Sequence, residues 1–278
     1  MYGSEKWICE PQALKRWAYR LFGELHVPGR IRSQHIIKEV QRLGLMEQPV
    51  RMLDAGSGRG DLAIHLARRC PHWQIVGLDL SPSRTQSAQY VGKQLGLKNV
   101  DFRTGSLEEL DFREAFDLIV SADVLEHIED DRTALRNLFQ ALRPGGCLIL
   151  TSPSIPQRKH LGLVRWREKR TGFHPSDYGH VRDGYSKLDI EEKLREAGGR
   201  VVSCYFTFGF FGTLAFDLFF VIGDNQPNPV AFGLLFPLLL ALGWLDLRFL
   251  SETGSAILAV GIKEGRRSLG ERGKAGMS

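Results

Sequence analysis

A strand that runs straight into three alternate glycines and then a helix leaves few folds open. Residues 50–62 read Val-Arg-Met-Leu-Asp-Ala-Gly-Ser-Gly-Arg-Gly-Asp-Leu. At Gly56, Gly58 and Gly60 the missing side chains let a bound molecule lie directly on backbone amides at a helix N-terminus. Asp79 follows 25 residues after Asp54 and closes the next apolar run. A carboxylate there can accept hydrogen bonds from a pair of ribose hydroxyls.

From Val50 onward, short apolar runs alternate with helical stretches, the pattern of repeated βαβ units. Strands are predicted at 51–54, 74–79, 101–104, 116–122 and 147–151, with helices beginning near Asp61, Ser83 and Glu129. Pro144-Gly145-Gly146 is expected to end the last of those helices. A helix over 187–197, a strand over 200–206 and a strand over 255–263 continue the alternation. The fold class expected is therefore α/β, a Rossmann-like seven-stranded doubly wound sheet. Ahead of it, Leu14, Trp17, Ala18, Leu21 and Phe22, then Ile36, Ile37, Val40 and Leu43, recur at helical spacing on either side of Pro28-Gly29. They predict two helices, separated by that break, that cap the sheet.

A dinucleotide-binding fold competes for the glycine loop. Its fingerprint needs a glycine three residues after Gly58, where this chain has Asp61, and pyrophosphate would meet a carboxylate at the helix start. Asp54 brings a second negative charge, which suits the cationic amino group of a methionine-type cofactor. The stretch 50–153 resembles the class I S-adenosylmethionine-dependent methyltransferases. Besides the glycine loop it carries Gly77-Leu78-Asp79-Leu80-Ser81, Gly105-Ser106-Leu107, Phe116-Asp117-Leu118-Ile119-Val120 and Leu142-Arg143-Pro144-Gly145-Gly146 in order. The resemblance implies that S-adenosyl-L-methionine is the cofactor. It also implies that Leu80, Ser106 and Leu107 surround the adenine and that the backbone around Ala122 meets the methionyl end. Where the family often has an aspartate, this chain has Ser106.

Asp123-Val124-Leu125-Glu126-His127 follows the fourth strand, at the carboxyl edge where open α/β sheets place their reacting groups. Three readings stand side by side. His127 can act as a general base on an acceptor hydroxyl, since imidazole titrates near neutral pH. Asp123, Glu126 and His127 can hold a divalent metal; the run is similar to the acidic-x-x-Glu-His motif of ubiquinone-type O-methyltransferases, with the shorter aspartate first. Or Glu126 and His127 simply cap the next helix. His180 and Tyr185, in the loop after the fifth strand, can bring a second imidazole or a phenol over the acceptor.

Residues 205–250 are almost wholly apolar, in two runs around a turn-rich stretch at 223–229. Neither run is an ordinary surface helix. The second contains Pro237 and is short of a full span, and the first is interrupted by Asp217, so a shallow hairpin in one membrane leaflet is expected, or else a lid or dimer interface. The net charge is +5, and Arg158, Lys159, Arg165, Arg167, Lys169 and Arg170 cluster among Leu161, Leu163, Val164 and Trp166. That composition suits an interfacial segment on anionic lipid; nucleic acid is disfavoured because no reading module accompanies it.

These features divide the chain at 1–49 (helical cap), 50–204 (cofactor domain), 205–250 (apolar insert), 251–264 (last strand) and 265–278 (basic tail). The four cysteines are widely spaced, as in a reducing cytoplasm. The activity expected is methyl transfer to an oxygen of a hydrophobic or lipid-linked acceptor, on the inner face of a membrane. The rivals are a soluble acceptor, a non-catalytic cofactor-binding protein and a dehydrogenase.

Overall fold

The computed structural model describes residues 2–3, 6, 8, 10, 12–157, 159–164, 166, 179–222 and 229–264. Its sheet consists of β1 (Arg51–Ala55), β2 (Gln74–Asp79), β3 (Val100–Thr104), β4 (Phe116–Ala122), β5 (Leu142–Pro153), β6 (Gly199–Thr207) and β7 (Ala256–Lys263). Their spatial order is β3-β2-β1-β4-β5-β7-β6. β1 to β5 are parallel, and β7 runs antiparallel to both β5 and β6. The order reverses between β1 and β4, which places a crevice at their carboxyl ends.

Successive strand residues face opposite layers, so one apolar run serves two cores. Met52, Leu118 and Ile149 are buried against α2 (Val27–Arg42), α3 (Asp61–Arg69) and α4 (Pro82–Gln94). Leu53, Ile119 and Leu148 face α5 (Asp131–Ala141) and α6 (Lys187–Glu196). Helix starts follow local chemistry. α5 begins at Asp131, later than expected, because the Asp130 side chain accepts from the Thr133 N–H at 2.9 Å and acts as the N-cap. It ends before Pro144-Gly145-Gly146, which already lie in β5, where Leu142 is paired with Phe116.

Pro28-Gly29 opens α2 and does not separate two helices there: a proline in the first turn gives up an N–H that would have no intrahelical partner. The break falls earlier, between α1 (Ala13–Phe22) and α2. Only α2 caps the sheet, through Ile36 and Val40. α1 leaves Trp17, Leu21 and Phe22 exposed, against the expectation of two capping helices.

The apolar insert forms α7 (Phe210–Ile222) and α8 (Pro229–Arg248), between β6 and β7. Ala215, Phe219, Phe236 and Leu239 bury their side chains with Val27 and Ile31 of α2, a third core beside the sheet. Asp246 fixes the arrangement: its carboxylate lies 2.9 Å from His35 Nε2 and accepts from the N–H groups of Phe208 at 3.1 Å and Gly212 at 2.9 Å. Asp217, expected to interrupt a membrane segment, is fully buried and accepts from the N–H groups of His160 at 2.7 Å and Leu161 at 2.9 Å. It ties the loop after β5 to α7. Among the described residues no helix is long and apolar enough to cross a membrane. Arg158, Arg165, Arg167, Lys169, Arg170 and the tail 265–278 lie outside the described residues.

Candidate active site

The glycine loop hangs from β2: the N–H groups of Gly56 and Ser57 both donate to the Leu78 carbonyl, at 2.7 and 2.9 Å. All three glycines have positive φ, but their surroundings differ. A Cβ on Gly56 would lie 2.3 Å from a Val124 methyl, and one on Gly60 2.6 Å from the Phe102 ring, so packing excludes side chains there. A Cβ on Gly58 would meet nothing within 4 Å. Gly58 therefore faces open space, as a cofactor cradle requires.

Asp79, at the end of β2, accepts from the Gly58 N–H at 2.8 Å through one oxygen and from the Ser81 N–H at 2.9 Å through the other. Two backbone donors hold the carboxylate in place and leave lone pairs for a ribose. Leu80, next in sequence, is 74% exposed, an apolar platform held into solvent beside that carboxylate. Asp54 is buried, and its Oδ2 has no hydrogen-bond partner among the described residues. Burial first, then the charges of Asp61 and Asp79, push its carboxyl up to about 7. A buried carboxyl that accepts from the Ala63 backbone and keeps one oxygen without a partner fits the ammonium group of a methionyl moiety.

Two of the family-implied adenine contacts are otherwise engaged. The Ser106 hydroxyl accepts from the Glu108 N–H at 3.1 Å, shaping its own turn. Leu107 is 5% exposed and packs in the core, while its carbonyl accepts from Asn137 at 3.1 Å. Ala122 is half-buried at the end of β4, paired in register with Thr151.

Beyond β4 the chain turns sharply through Asp123, at φ +54°, into one turn of 3-10 helix over Leu125–His127. Glu126, His127 and His180 converge there, with one potential ligand atom from each within 4.8 Å of the others. The two imidazoles meet edge to face at 4.6 Å between centroids. His127 Nδ1 lies 3.1 Å from the Gly179 carbonyl, which can only accept, so in the neutral ring Nδ1 carries the proton and Nε2 presents its lone pair. Glu126 is buried, with one oxygen accepting from the Ser152 hydroxyl at 3.1 Å and the other without a partner among the described residues. Burial, and next the charge of Asp123, push its carboxyl up to about 8. Burial and then His127 lower the basicity of His180.

Asp123 does not join this group. Its carboxylate accepts from the Thr151 hydroxyl at 2.8 Å and is ion-paired with Arg32 of α2. The metal set the sequence suggested, Asp123 with Glu126 and His127, is thus replaced by Glu126, His127 and His180. Nor does Tyr185 reach an acceptor. It is 3% exposed, and its hydroxyl donates to Asp131 at 2.6 Å. Arg182, which the sequence did not single out, donates to the carbonyls of Leu125 at 2.8 Å, Ile128 at 2.6 Å and Glu129 at 2.9 Å, and so clamps the His127 turn. The signal available was its place beside His180 in a glycine-flanked loop. Arg32 offered none, being one arginine among many in a helix far from the motifs.

Residues 47–196, more than half of the chain, match the family described as Methyltransferase domain. The chain belongs to this family. It is an S-adenosylmethionine-dependent methyltransferase, and the residues at the crevice fit that cofactor: the orphaned Oδ2 of buried Asp54, the open face of Gly58, and the Asp79 carboxylate that adjoins Gly58, with exposed Leu80 next to it. A ubiquinone biosynthesis O-methyltransferase of Rickettsia canadensis is 24% identical over 177 residues, covering 64% of this chain and 74% of that relative. A demethylmenaquinone methyltransferase of Thermus thermophilus is 34% identical over 123 residues, 44% of this chain and 56% of that one. Among solved structures, phosphoethanolamine N-methyltransferase 2 of Haemonchus contortus, in complex with S-adenosyl-L-methionine, shares the fold with a TM-score of 0.58. It is 19% identical, over 84% of this methyltransferase and 52% of that chain.

The state of Asp54 gives a pH test. Between 3.8, its ordinary value, and about 7, the folded protein keeps a proton there that the unfolded chain has lost. In that window this group makes the free protein less stable as pH rises. An ammonium beside it favours the carboxylate, so cofactor binding below about pH 7 is expected to release a proton and to tighten as pH rises. Calorimetry of S-adenosylhomocysteine binding in buffers of different ionisation enthalpy measures the release; Asp54→Asn is expected to abolish it. Equal release from the variant would place the titrating group elsewhere.

Proposed function

We propose that this methyltransferase acts on a hydroxyl oxygen of an acceptor with an apolar body, with His127 as the base. The observation that carries the reading is the meeting of His127 and His180 over the crevice, with Nε2 of His127 left as an acceptor by the Nδ1 contact to Gly179. S-adenosylmethionine supplies an electrophilic methyl group on a sulfonium sulfur. His127 Nε2 takes the hydroxyl proton as the acceptor oxygen becomes nucleophilic. Glu126, kept protonated at neutral pH by its burial, adds no negative charge beside the oxygen, and the Arg182 clamp holds the turn in register. The apolar character of the acceptor is supported by the α7–α8 insert and by the relatives named for ubiquinone and demethylmenaquinone.

A second reading is favoured by the same convergence: Glu126, His127 and His180 could hold a divalent ion that polarises the acceptor oxygen. Such an ion would have to displace the proton that Glu126 holds up to about pH 8.

Both readings are tested by assaying radiolabelled methyl transfer to a set of dihydroxybenzenes with alkyl tails of increasing length, with and without chelator. The expected result is that kcat/KM rises with tail length by roughly fourfold per buried methylene, until the apolar site is filled. Activity indifferent to the tail would overturn the apolar acceptor, and activity lost to chelator and restored by a divalent metal would select the second reading.

A further inference from the structure

Among the described residues, α1 and α8 both hold large apolar side chains out to solvent. α1 carries Lys15, Arg16 and Arg20 and no acidic residue, yet Trp17, Leu21 and Phe22 are 63, 54 and 45% exposed. Trp17 and Leu21 lie four residues apart on one side, flanked by Arg16 and Arg20 at the same spacing. A soluble helix of this amphipathic kind turns its apolar stripe inward. Here the stripe faces out between basic residues, the arrangement of a helix that lies in a membrane interface.

α8 shows the same thing over 20 residues. Its inner side supplies Phe236, Leu239 and Leu242 to the third core, while Leu234, Leu238 and Trp244 on the outer side remain 77, 47 and 61% exposed. Its charges are Asp246, buried with His35, and Arg248 in the last turn, so the outer stripe is uncharged along most of the helix. α1 reaches α8 through one ring contact, Phe22 meeting Phe236 of its inner side edge-on at 5.6 Å, and Arg30 of α2 donates to the Phe22 carbonyl. Arg30 also lines a cavity of about 210 Å³ with Leu239, Gly243 and Trp244.

We propose that α1 and the outer stripe of α8 form one docking surface for an anionic lipid bilayer, on which the protein lies without crossing. The apolar stripes provide the insertion and the α1 cations the attraction to acidic headgroups. A second copy of the chain fits less well, because α1 has no acidic residue and a twofold contact through it would bring cations to cations. The cations of this surface are those of α1, which the sequence pattern did not single out, and the proposal does not depend on which acceptor is methylated.

Flotation of the full chain with vesicles of phosphatidylcholine and phosphatidylglycerol in equal parts tests the assignment. Wild type is expected to float, and its partition is expected to fall by about tenfold on phosphatidylcholine alone or in high salt. Leu234→Asp with Leu238→Asp, and separately Lys15→Glu with Arg16→Glu, are each expected to lower it by about tenfold or more. Both double variants should bind S-adenosylhomocysteine as wild type does, which reports an intact fold. Failure of wild type to float overturns the proposal, as does flotation that is indifferent to headgroup charge and salt or that folded double variants retain in full. A wild-type dimer that Leu234→Asp with Leu238→Asp turns into monomers, with no lipid binding, would assign the surface to a second copy.

Discussion

Asp79→Ala is expected to weaken S-adenosylhomocysteine binding by about a hundredfold, measured calorimetrically. A hydrogen bond to an ionised group contributes roughly 1.5–3 kcal/mol, and alanine removes the acceptor for both ribose hydroxyls. It also frees the N–H groups of Gly58 and Ser81, which the carboxylate now holds at 2.8 and 2.9 Å, so the loop that cradles the cofactor loses its anchor. Asp79→Asn separates the two contributions. The amide keeps one acceptor and most of the shape, and should fall between wild type and alanine. Wild-type affinity in Asp79→Ala would mean that the cofactor's ribose lies elsewhere, and preferential binding of NAD would overturn the assignment of the crevice altogether.

The second large effect concerns the chemistry. His127→Ala is expected to lower kcat by about a thousandfold, within the span that positioned bases contribute, while S-adenosylhomocysteine affinity stays near that of wild type. The loss should shrink as the acceptor hydroxyl is made more acidic, because an oxygen that ionises by itself needs less help. His180→Ala removes the neighbouring imidazole but leaves the Nδ1 contact of His127 with the Gly179 carbonyl, and a smaller loss, about tenfold, is expected. A His127→Ala loss that is the same for acidic and weakly acidic acceptors would argue against proton removal and would point to packing or to metal binding.

Much of the fold was legible because the signals are short in range. Each strand announces itself by a run of apolar residues bounded by turn residues, and β1, the loop and α3 are contiguous, so Asp54, Gly56, Gly58 and Gly60 are placed by local geometry alone. Asp79 is almost as secure, since one βαβ unit fixes where a strand of that length must end. The misread helix boundaries have local causes as well. Pro28 can begin a helix as readily as it ends one, and the cap at Asp130 depends on a single side chain reaching the Thr133 N–H.

The cluster of Glu126, His127 and His180 is different, because its members come from separate parts of the chain. His180 meets His127 only because the loop after β5 folds back, with the Val181 N–H on the Glu126 carbonyl at 2.9 Å and Arg182 clamped on that turn. Asp123 is withdrawn from any metal by Arg32, an arginine from the N-terminal helices, and Tyr185 is buried on Asp131. No spacing announces such contacts. They follow from the order of strands in the sheet and from which helix covers which face.

The α/β fold, the glycine loop and the positions of Asp54 and Asp79 were readable from local pattern, for periodicity and turn chemistry act over a few residues and need no distant partner. Which side chains come together beyond β4, and where the apolar insert turns its two sides, depended on long-range packing. Apolar composition says that surface must be covered. It does not say by what: α2 covers the inner side of α7 and α8, while Trp17, Leu234 and Trp244 each stay more than half exposed.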